Sequence, residues 1–289
     1  MSEKPWYSQT WNFYNGKWVE GNPALIGPRT HSFWMASSVF DGGRFFEGVS
    51  PDLDTHCARV NRSALAVGLQ PTMQPEEIVA LAKEGAKKFG PDAAIYVKPM
   101  YWSERDGLFM VSPDPESTAF CLCLFEAPMP PVGNVNVITK SPFYRPTLDT
   151  MPTNAKTGAL YPNNARMLRE AHARGFNNAL VLDKLGNVAE TASANIFLVK
   201  DGVFRTPVAN GTYLAGITRA RMLKLLRDAG EQVEEAVLTY QDFLDADEAF
   251  TTGNYHKIGR VGRIDDVEYK TDKGYRRARQ LYWDFAHSK

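Results

Sequence analysis

The chain has 289 residues, with 33 lysines and arginines against 33 aspartates and glutamates, so its formal net charge at pH 7 is zero. Hydrophobic residues make up 44% and charged residues 23% of the sequence, which excludes an intrinsically disordered chain. The balanced charge also argues against nucleic acid as the main partner, because phosphate binding needs a surplus of basic residues on one face.

The cysteines and the apolar segments indicate in which compartment the protein is expected. Three cysteines are too few for a disulfide framework. Cys121 and Cys123 alternate in one apolar run, which predicts buried strand side chains on opposite faces and not a metal or redox pair. The N-terminal residues lack a secretory pattern, and no apolar run approaches the about 20 residues that span a membrane. We therefore expect a soluble, cytoplasmic protein without a membrane partner.

The first part of the chain predicts a hairpin, two helices and two strands. Asn15-Gly16 lies between two aromatic-rich segments and predicts a hairpin over 11–20. Apolar residues at helical spacing predict a helix over 57–69, and a proline followed by two acids predicts the start of another over 75–89. The two strands, both expected to be buried, are predicted over 93–102 and 118–125.

A change of composition divides the chain. Residues 127–134 are rich in proline, cannot continue a helix or a central strand, and are predicted to link two domains. These are a smaller N-terminal α/β domain, 1–126, and a larger C-terminal cofactor-binding domain, 135–289. A second stretch with three prolines, 141–157, is expected to be irregular.

The C-terminal part predicts further helices and strands without regular alternation, so an α+β or mixed α/β fold is expected. The predicted elements are a helix over 161–174, strands over 178–182, 195–200 and 203–205, a helix from about 218 to Gly230, a strand over 248–252 and a helix over 271–286.

Lys156 is the first candidate for chemistry. The sequence has no Walker-type loop, dinucleotide-binding glycine motif or nucleophile elbow, and its five histidines lack metal-ligand spacing, so no metal is expected. Lys156 precedes a predicted helix, where backbone dipoles and desolvation disfavour a charged ammonium. A neutral amine is what a Schiff-base lysine needs, although a solvated charge is the alternative interpretation.

Three further signals point to an anionic cofactor. Glu190 lies between two predicted strands, before small residues and Asn195, and is either a solvated turn residue or the anion that a pyridoxal phosphate (PLP) ring nitrogen requires. The helix after residues 214–217 offers free N–H groups to an anion, with Thr218 as a further donor or as a simple N-cap. Arg59 is either a buried anion binder or an exposed charge.

The order of these signals along the chain resembles the class IV aminotransferases, which are fold-type IV PLP enzymes and include the branched-chain amino acid aminotransferases. The resemblance extends from about His31 to Ile264. Its most specific part runs from Glu190 to Phe197. The further matching segments are His31-Ser32-Phe33, Val39-Phe40-Asp41-Gly42, the helix around His56 to Ala64, and Tyr96-Val97-Lys98-Pro99. The resemblance implies a two-domain D-amino acid aminotransferase-like fold and a homodimer.

The resemblance also implies residue roles. The catalytic residues would be Lys156, which holds PLP as an internal aldimine and moves a proton between Cα and C4′, Glu190 at the pyridinium nitrogen, and Tyr161 at O3′. Further cofactor contacts would come from Arg59, Ile217 and Thr218 at the phosphate, from Leu214 at a ring face, and from Asn195 and Asn254. Substrate contacts would come from Phe40, Tyr96, Lys98, Gly253 and Asn254. Arg105 lies in a segment, 101–107, that is unlike the family's usual glycine-rich loop, and it is either a further substrate residue that binds an acceptor carboxylate or a solvated loop residue.

Several departures from the branched-chain pattern concern the substrate. Lys98 replaces an arginine and supplies a cation without a bidentate fork, which puts capture of a second carboxylate in doubt. Met35 and Ala36 replace a tyrosine and a glycine. Asn254 replaces a common threonine and is followed by Tyr255-His256-Lys257 instead of small residues.

The expected reaction is a ping-pong transfer of an amino group from a branched-chain or other hydrophobic amino acid to a 2-keto acid. The departures leave an (R)-selective amine:pyruvate transaminase as the main alternative, followed by D-amino acid transaminase and aminodeoxychorismate lyase. A cofactor-free structural relative would have no use for the set Lys156, Tyr161, Glu190 and Arg59. A Schiff-base lyase without PLP would leave Glu190 and the Gly-Ile-Thr segment without a purpose.

Overall fold

The computed structural model describes residues 5–288, which form two compact units. The first unit is the chain up to Met129 together with Ala155–Ala159, and the second comprises Pro130–Asn154 and the chain from Leu160 onward. The segment Ala155–Ala159 groups with the first unit because Thr157 pairs with Val39 in an antiparallel bridge. The Thr157 hydroxyl also donates to the Ser38 carbonyl at 3.0 Å.

The first unit contains an antiparallel sheet whose order is β2-β1-β6-β5-β3, with β4 also pairing with β5. Its elements are β1 (Thr10–Tyr14), β2 (Lys17–Glu20), α1 (His31–Met35), β3 (Ser38–Phe40), β4 (Gly43–Phe45), α2 (Leu53–Ala66), α3 (Pro75–Ala86), β5 (Ile95–Ser103) and β6 (Thr118–Glu126).

The β1–β2 hairpin confirms the prediction from Asn15-Gly16. Asn15 has φ 48° and Gly16 has φ 76°. Two consecutive positive φ angles are what a type I′ turn requires, and this turn matches the twist of the flanking strands. The helix predicted over 57–69 begins earlier and ends earlier, at Leu53 and Ala66.

One face of this sheet is covered by α2 and α3. Strand β5 alternates, so that Val97 and Tyr101 enter the core while Tyr96, Lys98 and Met100 point to the other face. The core side chains from the helices include Cys57 and Ile78, both completely buried. The face opposite α2 and α3 therefore presents polar and aromatic side chains.

The second unit contains a mixed sheet in the order β12-β11-β10-β13-β14-β7-β8-β9, with β15 pairing with β14. Its elements are β7 (Val135–Tyr144), α4 (Tyr161–Ala173), β8 (Asn178–Leu182), β9 (Val188–Thr191), β10 (Asn195–Lys200), β11 (Val203–Pro207), α5 (Ile217–Asp228), β12 (Val233–Ala236), α6 (Tyr240–Leu244), β13 (Glu248–Gly253), β14 (Lys257–Ile264), β15 (Val267–Glu268) and α7 (Lys273–His287).

Two sequence interpretations of the second unit were wrong. The stretch predicted to be irregular from residue 141 begins inside β7, which continues to Tyr144. Glu190 does not lie in a turn between strands, because β9 includes it and pairs antiparallel with β8. In both segments pairing with neighbouring strands supplies the structure that local sequence signals lack.

The cysteines are free, and Cys123, which was predicted to be buried, is only partly buried. Cys121 is buried as predicted, and Cys57 is buried as well. Burial raises the pKa of each of these two thiols to about 12, so both stay protonated and behave as apolar side chains. Among residues 5–288, no helix is long and apolar enough to cross a membrane.

Candidate active site

Lys156 lies on the short segment Ala155–Ala159, which groups with the first unit. Its backbone N–H donates to the Ser63 hydroxyl at 3.1 Å, and its carbonyl accepts from the Phe40 N–H at 3.0 Å. The Lys156 ammonium lies 4.9 Å from the centre of the Phe40 ring. The main chain around Lys156 is thus held on both sides, which directs its amine over an aromatic side chain of β3.

The face of the first sheet that lies opposite α2 and α3 carries several of the predicted substrate residues. Phe40 lies directly opposite Met100, and residues that are opposite in an antiparallel pair share a face. Tyr96 and Lys98 follow at two-residue spacing on the same face. Tyr96 stacks on Phe125 with ring centres 5.1 Å apart, and the Lys98 ammonium lies 4.9 Å from the Phe125 ring.

Arg44 also belongs to this face and was missed from the sequence. It lies opposite Tyr96 and is completely buried, and its guanidinium donates to the Ala127 carbonyl. An arginine in a short strand carries no local signal of burial. Only the register of β4 against β5 places it beside the predicted substrate residues.

Arg59 is buried beside Asp41, a residue that the sequence placed only within a motif. The Arg59 Nε and Nη2 atoms donate to the two Asp41 oxygens at 2.6 and 2.9 Å, and His56 Nδ1 lies 2.6 Å from Asp41 Oδ1. Burial alone would raise the pKa of Asp41, but Arg59 and His56 outweigh burial and hold that pKa well below its usual range. Asp41 therefore fixes the orientation of the Arg59 guanidinium, whose predicted role at a phosphate stays a prediction.

Replacing Asp41 with asparagine should destabilise the protein by about 3 kcal/mol, because a buried arginine then loses its counter-charge. Urea unfolding at pH 7 measures the change. The control Asp228→Asn, at an exposed pair with Lys224, should cost less than about 1 kcal/mol. Because the Asp41 pKa is lowered on folding, its contribution is present above about pH 4 and is lost as the pH falls further. Equal losses in both variants would contradict the assignment.

Glu190 is buried in the second unit and held by two donors. Its Oε1 atom pairs with Arg145 Nη2 at 2.7 Å, and its Oε2 atom accepts from Asn195 Nδ2 at 3.1 Å. Arg145 is held in turn by the Asn164 side chain at 2.6 Å and by the Thr191 carbonyl at 3.1 Å. Glu190 as a residue is 8% exposed, so its interpretation as a solvated turn residue was wrong.

Asn195 connects Glu190 to the loop that precedes α5. Its Nδ2 atom also donates to the Leu214 carbonyl at 3.3 Å. A Cβ at Gly216 would lie 2.0 Å from Asn195 Oδ1, so this close approach requires glycine. The structure thereby brings together Glu190, Asn195, Leu214 and the start of α5.

The N-terminus of α5 carries Ile217 and Thr218 as its first two residues. Gly216 is the N-cap and no side chain caps this end, so the interpretation of Thr218 as the N-cap was wrong. Thr218 is nevertheless buried at this end of the helix. The first backbone N–H groups of a helix lack intrahelical acceptors and favour an anion.

Asn254 begins the turn after β13, and the last residue of that strand is Gly253. Thr252, just before it, lies opposite Asn195 in the sheet and is buried, and its hydroxyl has no hydrogen-bond partner among residues 5–288. The Asn254 side-chain oxygen accepts from the ammonium of Lys257 at 2.7 Å. Asn254 was predicted from the sequence as a site residue, whereas Lys257 was not.

Tyr161 and Arg105 lie at element ends. Tyr161 is the first residue of α4 and is 37% exposed. The Arg105 guanidinium is largely exposed and pairs with Asp114 at 2.9 Å. Arg105 also lines a cavity of about 480 Å³ with Arg29, Thr30, Glu104 and Asp106. Its predicted contact with an acceptor carboxylate stays a prediction.

Comparison with known proteins identifies the family. The sequence profile described as amino-transferase class IV matches residues 38–264. This chain belongs to the class IV aminotransferases. The branched-chain-amino-acid aminotransferase of Escherichia coli (strain K12) is 27% identical to this class IV aminotransferase over 270 residues, which cover 89% of this chain and 85% of that protein.

Solved class IV aminotransferases share the fold. An aminotransferase from Brucella abortus, solved with its co-factor PLP, has a TM-score of 0.95 and 51% identity, and the match covers 97% of this chain and 100% of that one. The branched-chain amino acid aminotransferase of Escherichia coli has a TM-score of 0.88 and 25% identity over 97% of this chain and 95% of that one. The expected mixed fold and family are confirmed. Class IV aminotransferases are PLP enzymes, so the expected cofactor is confirmed as well.

The residues of this class IV aminotransferase suit PLP chemically. An aldehyde calls for a primary amine, supplied by Lys156, and a protonated ring nitrogen calls for an anion, supplied by Glu190. A phosphate calls for backbone N–H donors, supplied at the start of α5. The buried Thr252 hydroxyl, which has no partner among residues 5–288, would gain one from a ligand at this part of the second unit.

Proposed function

We propose that this aminotransferase moves an amino group from a branched-chain or other hydrophobic amino acid to a 2-keto acid by a ping-pong reaction. The observation that carries the proposal is the buried Glu190 carboxylate, held by Arg145 and Asn195 beside the start of α5. The named relatives support the branched-chain class of donor. They do not favour the (R)-selective amine:pyruvate alternative.

When bound, PLP supplies an aldehyde that accepts the amino group and a ring that takes up the electron pair released at the amino acid Cα. Lys156 would hold the cofactor through its amine and would then carry the proton between the substrate Cα and the cofactor C4′. Glu190 would accept a hydrogen bond from the ring nitrogen and so favour its protonated form, and Arg145 holds the Glu190 carboxylate in place.

The remaining cofactor residues would bind PLP and orient its ring. Tyr161 would donate to the ring oxygen O3′, and Leu214 would pack on a ring face. The phosphate contacts would come from the Arg59 guanidinium, from the backbone N–H groups of Ile217 and Thr218, and from the Thr218 hydroxyl. Asn195 orients Glu190 through its amide nitrogen, which it also shares with the Leu214 carbonyl.

The substrate residues are proposed from the shared face of the first sheet. Phe40 and Tyr96 offer aromatic surface for a hydrophobic side chain. Lys98 supplies one cation for an acceptor carboxylate, and Arg105 is the second candidate for it. Gly253 and Asn254 complete the end that binds the substrate α-carboxylate.

Half-reaction spectra test the donor class. Mixing the PLP-loaded enzyme with L-leucine should bleach the visible band of bound PLP faster than mixing it with D-alanine or (R)-1-phenylethylamine at equal concentration. Stopped-flow absorbance measures the three rates. A faster reaction with (R)-1-phenylethylamine would support the amine-type alternative and overturn the proposed donor.

We also propose that the enzyme is a homodimer located in the cytoplasm. Large apolar side chains are exposed in two neighbouring segments of the first unit: Phe33 in α1 is 62% exposed, and Leu108 and Phe109 are 70% and 83% exposed. The His31 N–H donates to the Glu104 carbonyl, which brings these segments close together. An exposed apolar patch of this kind supports a subunit interface.

The free thiols support the proposed cytoplasmic location, because free cysteines are typical of a reducing compartment.

Replacing Phe109 with aspartate should convert the dimer to monomers, because a charge would be buried at an apolar interface. Light scattering coupled to gel filtration measures the mass. Leu185→Asp, at an equally exposed leucine of the second unit, is the control and should stay dimeric. A wild-type mass near the 32.3 kDa of one chain would contradict the homodimer.

A further inference from the structure

Strand β14 begins with a buried lysine that the proposed mechanism does not use. Lys257, the first residue of β14, is completely buried and has φ 59°, a conformation that residues other than glycine rarely adopt. It lies opposite Gly253 in the sheet, directly after the turn that includes Asn254. A lysine in this backbone conformation at full burial points to a specific function for its ammonium.

The Lys257 ammonium determines which way the Asn254 amide faces. Its Nζ atom donates to Asn254 Oδ1 at 2.7 Å. An ammonium has donors only, whereas an asparagine amide has an acceptor oxygen and a donor nitrogen. The amide oxygen must therefore face Lys257, and the amide NH₂ group is turned away from it.

A donor is the group that an oxyanion needs at this turn. A threonine hydroxyl, common at this position in the family pattern, can rotate to donate, but an asparagine donates only when its NH₂ group faces the ligand. The Thr252 hydroxyl, two residues before Asn254, is buried and has no hydrogen-bond partner within the described chain. A polar ligand at this turn would supply that partner. The buried ammonium also favours an anion nearby.

We propose that Lys257 is a positioning residue, which holds the Asn254 amide so that its NH₂ group donates to an oxyanion at the β13–β14 turn. This inference rests on the proposed function, in which that oxyanion is the cofactor phosphate or the substrate α-carboxylate. Lys257 acts through Asn254 and does not take part in proton transfer. Asn254, which departs from the family pattern, and the buried Lys257, three residues later, therefore act together as one donor and the residue that orients it.

Two measurements show whether the oxyanion is the cofactor phosphate or the substrate carboxylate. The first compares the Kd of PLP with the Kd of pyridoxal, both measured by equilibrium dialysis of the full chain. The second is the KM of L-leucine at saturating PLP. If the phosphate is the ligand, Lys257→Met should weaken PLP binding about 10-fold and leave pyridoxal binding unchanged. If the carboxylate is the ligand, Lys257→Met should raise the KM of L-leucine about 10-fold and leave both Kd values unchanged.

Threonine at position 254 supplies the control for mechanism. In an Asn254→Thr background, Lys257→Met should change neither constant, since the hydroxyl needs no orienting partner. Asn254→Asp keeps an acceptor for Lys257 and removes the donor, so it should weaken the same constant as Lys257→Met. Lys224→Met, at an exposed lysine of α5, should leave both constants unchanged.

Three results would overturn the inference. They are an unchanged Kd and KM in folded Lys257→Met, an equal effect of Lys257→Met in the Asn254→Thr background, and unchanged binding in Asn254→Asp. The last decides the matter if Lys257→Met does not fold, as checked by circular dichroism. A wild-type protein that binds no PLP would instead refute the proposed function, so the two failures are distinguishable.

Discussion

Lys156→Ala should lose the visible band of bound PLP and lower the rate of amino-group transfer by at least about 1,000-fold. The amine that holds the cofactor and moves the proton is then absent. The fold should survive, because the contacts of residue 156 with Ser63 and Phe40 that hold this segment are made by its backbone. Absorbance after gel filtration and single-turnover rates with L-leucine measure the two effects.

Two controls separate chemistry from folding for Lys156. Lys83→Ala, at an exposed lysine of α3, should keep both the band and the rate. Added methylamine should restore part of the proton transfer in Lys156→Ala, because it replaces the missing base without repairing any structural defect. A variant that keeps the wild-type band and rate would refute the role of Lys156.

Features fixed by a few adjacent residues were predictable from the sequence. The Asn15-Gly16 hairpin needs only its own two positive φ angles, and the helices needed only apolar spacing and a proline or glycine at an end. The family resemblance supplied what local signals did not. It led to Lys156, Glu190 and Thr218, each of which has a common alternative interpretation when taken alone.

Features that depend on long-range pairing were not predictable in the same way. Strand β14 contains Gly259, Arg260 and Gly262, which are poor strand signals, and it forms because β13 and β7 pair with it on both sides. Arg145 lies in a stretch interrupted by prolines, and its partner Glu190 is 45 residues away along the chain. The partner of a buried carboxylate becomes known only once the register of the strands is known.

Glu190→Gln should lower turnover by about 100-fold or more while PLP still binds. Glutamine keeps the size of the side chain but carries no charge, so it cannot hold the ring nitrogen in its protonated form. In the wild type Arg145 and Asn195 both donate hydrogen bonds to the Glu190 carboxylate, and such donors favour the charged form of a carboxyl group. The kcat for L-leucine and the Kd of PLP, measured together, separate the loss of chemistry from the loss of binding.

The loss of charge at position 190 also leaves Arg145 without its ionised partner, which could lower activity through instability alone. Two measurements remove that ambiguity. Urea unfolding of Glu190→Gln gives the stability cost directly, and Arg145→Gln should show a comparable cost with a smaller loss of kcat, since Glu190 is still present. Glu234→Gln, at an exposed pair with Arg205, is the surface control. A near-normal kcat in folded Glu190→Gln would remove Glu190 from the ring nitrogen and leave its ion pair with Arg145 as a structural contact.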